Sequence, residues 1–205
     1  MSRQPDTVVF DFGNVLIEWD PRHLYSRLFS EAEAVDHFLT EILPPSWNLE
    51  QDRGRSFADG IAEALARHPD YEEEIRAWDT RWHEMVPGPV DGSVSLLQDL
   101  KAAGVPLYAI TNFSAEKYAE CLERFPFLAD SFRDTVVSAH EKLLKPDTRI
   151  YDVLLTRNAL SPERTVFIDD SAANVAGARD AGMHAIHFTG ADALRQALRD
   201  HGFPV

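Results

Sequence analysis

Asp11 ends the run Val8-Val9-Phe10 and is followed by Phe12-Gly13-Asn14-Val15-Leu16, so a lone carboxylate stands where an apolar strand runs into a glycine turn. Such a carboxylate is aimed outward from the end of a buried strand, and open α/β sheets bind ligands in the crevice beyond the carboxyl ends of their strands. The arrangement recurs where residues 165–168 run into Asp169-Asp170, and again where residues 107–110 run into Thr111-Asn112. Three strand ends therefore offer oxygen ligands to one place, and Lys145-Pro146 adds an ammonium group. Taken singly, each has a plain structural reading: Asp11 or the Asp169-Asp170 pair as helix caps, Thr111 as a strand-end hydroxyl, Lys145 as a solvated lysine. The four in order are what make the set specific.

The elements that must position these groups show in the periodicity. Residues 94–103 carry apolar side chains at helical spacing and stop at Gly104, ahead of an apolar strand at 105–110. A helix at 115–125, a short strand at 135–138 and helices at 148–158 and 172–181 follow, the last stopped by Gly182. A final strand at 184–188 precedes a terminal helix at 191–201. Strands alternating with helices imply parallel βαβ units and a doubly wound α/β sheet. Residues 18–87 break this rhythm, with helix-period segments at 22–29, 31–43, 57–67 and 71–85 and no convincing strand. That all-helical insertion ends at Val86-Pro87-Gly88-Pro89, a boundary signal. The expected division is a Rossmann-like core of residues 1–17 and 88–205 with a helical cap of residues 18–87.

Composition narrows the partners. The 205 residues, 44% hydrophobic, suffice for a full core plus an insertion. Twenty basic against 34 acidic residues leave a net charge of −14, which disfavours nucleic acid and anionic lipid. Cys121 stands alone, so neither an intrachain disulfide nor a cysteine metal site can form, and a small apolar residue on a helix is the expected role. With no signal peptide pattern and no apolar run of membrane-spanning length, a reducing cytoplasm is the expected location.

Asp11, Thr111, Lys145 and Asp169-Asp170 together resemble the four motifs of the haloacid dehalogenase-like hydrolase superfamily: an Asp nucleophile, a Thr or Ser, a Lys and a pair of acids. The resemblance covers almost the whole chain. It implies a core of about five strands with the Asp11 strand at its centre, and a cap that closes over the site, excludes bulk water and selects the substrate. It also implies a phosphatase mechanism. Asp11 would give one oxygen to Mg2+ and attack phosphorus with the other, forming an aspartyl-phosphate that water then hydrolyses. The carbonyl of Gly13, Asp170, and Asp169 directly or through water would complete the metal ligands. Lys145 would hold Asp11 ionised and screen the phosphoryl oxygens, to which the Thr111 hydroxyl and the Asn112 N–H would donate. Such a metal is required by charge, because an acidic nucleophile cannot otherwise approach a phosphate dianion.

One position departs from that pattern. The usual phosphatase motif has a second Asp two residues after the nucleophile, where it protonates the leaving oxygen and later activates water; this chain has Gly13. Such a group is worth about 10²–10⁴ in rate. Either Asp20 or His23, just after the first strand, supplies the proton, or the leaving group needs little help, as with the hemiacetal oxygen of a sugar 1-phosphate. Asp20 before Pro21 also suits a helix start. The Asp-x-Gly-Asn-Val form of the first motif also resembles a subgroup that includes bacterial α-glucose-1-phosphate phosphatases. A 2-haloacid dehalogenase is the competing reading, but that branch carries Ser-Ser-Asn where this chain has Asp169-Asp170-Ser171, and an aromatic residue in place of Gly13. A non-catalytic binding module is a further alternative, supported by Gly13 alone. In the cap, Trp47, which follows Pro44-Pro45 in an apparent loop, is the expected substrate-facing aromatic. Trp78 and Trp82 read as cap core, and Asp52, Arg53 or His83 could bind substrate hydroxyls.

Overall fold

Every side chain of β1 (Thr7–Phe10) is buried, as a strand flanked on both sides and covered on both faces must be. The computed structural model describes residues 4–205. In it β1 lies between β2 (Leu107–Thr111) and β4 (Thr165–Asp169), with β3 (Thr135–Val137) and β5 (His184–His187) outside them, giving the order β3-β2-β1-β4-β5. All four pairings are parallel: Val8 opposes Leu107 on one side and Val166 on the other. Order reverses between β1 and β4, so the crevice at a topological switch point opens beyond those two strands. Asp11 and Asp169 are located at that reversal.

Alternation along the strands serves two cores. Val9, Tyr108, Ile110, Val136 and Phe167 face α10 (Thr148–Arg157) and α11 (Ala172–Asp180) through Ile150, Tyr151, Leu154 and Ala178. Val8, Phe10, Ala109, Val166 and Ile168 face the opposite way, toward α6 (Asp91–Ala102), α7 (Ala115–Arg124) and α12 (Ala191–Asp200). This second core continues without a break into the helical insertion.

The insertion comprises α1 (Arg22–Leu28), α2 (Ala32–His37) running into a π-helical turn at Phe38–Ile42, α3 (Pro45–Asp52), α4 (Phe57–Arg67), α5 (Glu72–Thr80) and a 3₁₀ turn at Trp82–Met85. An aromatic cluster holds it together: Tyr25 lies 4.6 Å from Phe38 and 5.8 Å from Trp78, and Trp78 lies 5.4 Å from Trp47, measured between ring centroids. Its two connections to the sheet are bonded to each other. Glu18 N–H donates to the Gly88 carbonyl at 2.9 Å, and Val90 N–H donates to that of Leu16 at 2.9 Å.

Three features differ from the sequence reading, the first being that residues 71–85 break at Arg81 into α5 and the 3₁₀ turn. Residues 31–43 form not one helix but α2 and a π turn. Residues 45–52, read as a loop, form α3; Pro45 takes the first helical position, where a missing N–H costs nothing and φ is already set. Short helices α8 (Pro126–Asp130) and α9 (Ser138–Glu141) complete the chain.

The loop bearing Lys145 is fitted against α11 at Gly177. A Cβ there would lie 2.4 Å from the Pro146 carbonyl oxygen, a backbone atom that cannot swing aside. Gly177→Ala should therefore destabilise the protein by about 1–3 kcal/mol, lowering Tm by about 2–4 °C per kcal/mol. Unchanged thermal unfolding would mean that the loop is not seated as described.

Candidate active site

β1 does not end cleanly at Phe10. Asp11 N–H still donates to the Ile168 carbonyl at 2.9 Å, so Asp11 extends the β1–β4 ladder by one residue before the chain turns away. Phe12 then accepts N–H groups from Leu16 at 2.9 Å and Ile17 at 3.0 Å, winding residues 12–17 into a tight loop. Asn14 holds the left-handed turn at φ +55°, a conformation Asn tolerates, and its Oδ1 accepts from the N–H of Trp19 at 2.9 Å. The Asp11 carboxylate is thereby fixed, with Phe12 N–H donating to Oδ1 at 2.7 Å.

Lys145 is the central cation. Its Nζ lies 2.8 Å from Asp11 Oδ1 and 2.6 Å from Asp169 Oδ2, and donates to the Ile110 carbonyl at 3.2 Å. Its main chain is held by Asn112, whose Oδ1 accepts from Lys145 N–H at 2.9 Å and whose Nδ2 donates to the Lys145 carbonyl at 3.1 Å. Asn112 therefore carries a positioning task in its side chain that its place beside Thr111 did not announce. Asp169 is fully buried, and besides Lys145 it accepts from Ser171 N–H at 2.8 Å and from Asn174 Nδ2 at 3.0 Å. Sequence reasoning missed Asn174, and Asp169 is not the helix cap: it ends β4, and Ser171 stands at the start of α11.

Charge does not balance here. Carboxylate oxygens of Asp11, Asp169 and Asp170 lie within 4.8 Å of one another, with one lysine among them. Burial raises Asp11 to about 7; Lys145 opposes that shift and Asp169 reinforces it. Asp170, more exposed, is also raised, by burial first and then by Asp169, against a lowering hydrogen bond from Asn14. Three hard oxygen donors with a net negative charge are the chemistry a divalent cation of the magnesium type prefers. Gly13 lies beside them in the same cavity wall. Thr111, at the end of β2, is buried and its hydroxyl has no hydrogen-bond partner within the protein. A buried orphan hydroxyl is costly.

The insertion closes the other side. Two adjoining cavities, about 90 Å³ and about 520 Å³, share Asp11, Gly13, Asn48, Asp52 and Asn112 in their walls. Asp52, at the end of α3, is raised to about 7 by burial, against lowering effects from the Ser114 N–H and Lys145. Trp47 does not belong to these walls: it is buried in the insertion's aromatic core, and its indole N–H donates to the Gly60 carbonyl at 3.1 Å. The reason is α3 itself, which turns Trp47 inward and Asp52 toward the cavity. Trp19, which sequence reasoning passed over, lines both cavities; Trp82 lines the smaller and Trp78 the larger. Asp20 borders the larger cavity while accepting from Arg22 N–H at 2.8 Å, the helix-start role expected for it. His23, Arg53 and His83 are exposed and outside both walls.

Fold and site together define a known class. The family model for haloacid dehalogenase-like hydrolases matches residues 5–182, and the chain belongs to that family. Among curated relatives, a sesquiterpene phosphatase (astK) from Aspergillus oryzae is 28% identical over 191 residues, covering 93% of each chain. A glyceraldehyde 3-phosphate phosphatase from Methanothermobacter thermautotrophicus is 36% identical over 115 residues, 55% of this chain and 49% of the relative. Among solved structures, a HAD family enzyme of Bacteroides thetaiotaomicron in complex with magnesium superposes with a TM-score of 0.76 at 19% identity, over 96% of this chain and 100% of that one. This chain is thus a HAD-like hydrolase of the phosphatase kind, and no helix among the described residues is long and apolar enough to cross a membrane.

Two outcomes follow from the buried charges. Lys145→Met leaves Asp11 and Asp169 facing each other unpaired, and should cost about 3–5 kcal/mol, with the lost Tm partly recovered as pH is lowered. For Asp52 the folded-state pKa lies above the ordinary carboxylate value, so the folded chain holds a proton that the unfolded chain releases. Its contribution is therefore lost as pH rises between about 4 and about 7. Asp52→Asn should remove that part of the slope, raising Tm relative to the native protein more at pH 8 than at pH 4; equal differences at both would contradict the buried acid.

Proposed function

We propose that the protein is a magnesium-dependent hydrolase of small phosphomonoesters that works through an aspartyl-phosphate on Asp11, with residues 18–87 acting as a cap over a core of residues 1–17 and 88–205. The observation that carries this reading is the cluster of Asp11, Asp169 and Asp170 around the single buried Lys145. Asp11, the Gly13 carbonyl, Asp170 and Asp169 would hold the metal. When bound, magnesium supplies the positive charge that lets an anionic nucleophile meet an anionic phosphoryl group. Asp11 attacks phosphorus with its free oxygen, and the ester oxygen departs. The N–H of Asn112 would donate to the phosphoryl oxygens, Lys145 would offset their charge from behind Asp11, and the unpartnered Thr111 hydroxyl would complete the set of donors. Water then releases inorganic phosphate from Asp11.

The alternative of dehalogenation fits less well, since Asp169 and Asp170 would repel a carboxylate substrate. A non-catalytic module would have no reason to keep all four groups in contact. For the substrate, a sugar phosphate, and in particular a sugar 1-phosphate, agrees with the missing donor at Gly13. A second reading is favoured by Trp19, Leu39, Leu43, Leu49 and Pro45 in the larger cavity, which suit an ester with an apolar organic group, as the name of the Aspergillus oryzae relative suggests for that protein. The lone buried Cys121, its thiol pushed up to about 12 by burial, is unreactive and in keeping with a reducing cytoplasm.

Asp11→Asn should bring turnover to background, because the amide is neither a nucleophile nor an anionic ligand. Asp170→Ala should keep the fold and raise the magnesium concentration for half-maximal rate by at least about 10-fold. Rates on glucose 1-phosphate, glucose 6-phosphate and a prenyl phosphate would separate the two substrate readings. Full activity in excess chelator would rule out the metal-dependent mechanism.

A further inference from the structure

Gly13 leaves the phosphatase reading one proton short, and the structure offers a carboxyl group on the opposite wall. Asp52 ends α3, is 8% exposed, and shares both cavities with Asp11 and Gly13. Its carboxylate accepts from Asn48 Nδ2 at 3.1 Å and from the Ser114 N–H. Its main chain is fastened to the core as well: Ser138 Oγ donates to the Asp52 carbonyl at 2.5 Å and accepts from Phe113 N–H at 2.8 Å. The turn after it is equally close, for a Cβ on Gly54 would lie 2.9 Å from the Ala139 carbonyl oxygen. The Ser138 bonds and the close approach at Gly54 join the insertion to the core, and they seat Asp52 beside the strand ends that carry Asp11.

Resting on the phosphatase reading, we propose that Asp52 is the general acid and base that Gly13 does not supply. As an Asp11 oxygen bonds to phosphorus and the bond from phosphorus to the ester oxygen breaks, the Asp52 carboxyl proton passes to that oxygen, giving the alcohol and the Asp52 carboxylate. The carboxylate then takes a proton from water as the water oxygen bonds to phosphorus and the acyl-phosphate bond to Asp11 breaks. Inorganic phosphate leaves and Asp52 is again protonated. Burial supports this by raising Asp52 to about 7, so that both forms exist near neutrality. The charged groups around it include Lys117 and Asp11 in the wall of the smaller cavity, and Asp20, Arg22 and Asp170 in that of the larger, while Lys145, buried behind Asp11, acts on it through its charge. Asp20, itself a candidate for the proton, borders only the larger cavity, and His23 lies outside both walls.

The test compares two esters on the full chain with magnesium: 2,4-dinitrophenyl phosphate, whose leaving group needs no proton, and phenyl phosphate, whose leaving group does. Asp52→Asn should lower kcat/KM for phenyl phosphate by about 10²–10⁴ and leave that for the dinitrophenyl ester within about 3-fold. With the latter, kcat should fall and a stoichiometric burst of dinitrophenolate should appear, because water attack has lost its base. Asp52→Ser, which keeps an acceptor but no acid, should behave alike. Adding Gly13→Asp to Asp52→Asn should recover the phenyl ester at least about 10-fold, since a side chain at Gly13 meets nothing within 4 Å. Equal losses in kcat/KM on both esters, or none on either, would overturn the assignment. Hydrolysis of neither ester by the unmodified protein would instead overturn the phosphatase reading beneath it.

Discussion

Two buried carboxylates at the ends of β1 and β4 share one ammonium group, and most of the local architecture can be understood as keeping that arrangement in place. Lys145 could not remain buried without Asp11 and Asp169, nor they without it, because an isolated charge out of water is far costlier than a paired one. The pairing spans three separate stretches of chain. It therefore requires β1 and β4 to be neighbours in register, and the loop at 143–147 to reach under both. Asn112 fixes that loop from the β2 side, and Gly177 lets it approach α11. Asn174 and the Ser171 N–H also donate to Asp169. With Asp169 so held, Asp11 and Asp170 carry the charge on the side that opens into the cavity.

The insertion answers a different need. On the proposed mechanism, a phosphoryl group held by Asp11 would have to be kept from bulk water until transfer is complete. The insertion covers the site from above and is tied down at several points: Asp52 to Ser138 and Ser114, Phe57 N–H to Glu116, Lys117 to Asp79, and Arg124 to the His83 carbonyl. Lys117 is buried, so its ion pair with Asp79 is screened less than the ion pairs at the surface. At its root, the paired strands of chain around Ile17 and Pro89 bring entry and exit together, a narrow connection between two bodies that otherwise meet through side chains.

Much of this was legible before any coordinates, for a physical reason. Strand-end oxygens following apolar runs announce themselves locally, alternation of strand and helix implies a parallel doubly wound sheet, and the family resemblance implies the central place of the Asp11 strand. Asp11, Gly13, Asn112 and Asp170 line one crevice, Lys145 and Asp169 are buried behind Asp11, and Thr111 lies at the end of β2. What escaped notice depended on orientation. Residues 45–52 have little amphipathic character, and two prolines at their head look like a loop signal until one is seen to occupy a helix start. An aromatic ring after Pro44-Pro45 predicts a substrate-facing residue in a loop, but the helix turns Trp47 into the core. The same helix delivers Asp52, five residues on, to the cavity. Orphaned Thr111 and the side-chain role of Asn112 likewise need three-dimensional neighbours to be recognised.

Moving the acid from the nucleophile's own loop to the insertion changes what closure means. An Asp at position 13 would be in place whether or not the insertion were seated, and could assist hydrolysis of the aspartyl-phosphate in an open site. A donor at Asp52 is present only while α3 is fastened to Ser138 and Ser114. On that assignment, seating of the insertion and readiness for proton transfer are one event, and a substrate whose organic group prevents α3 from docking is excluded from reaction even if its phosphate reaches Asp11. Selectivity would then reside in the fit between the larger cavity and the leaving group, expressed in the rate of transfer more than in binding. The empty space beside Gly13 is consistent with this division of labour, since nothing in the loop has grown to fill the position where the usual donor would stand.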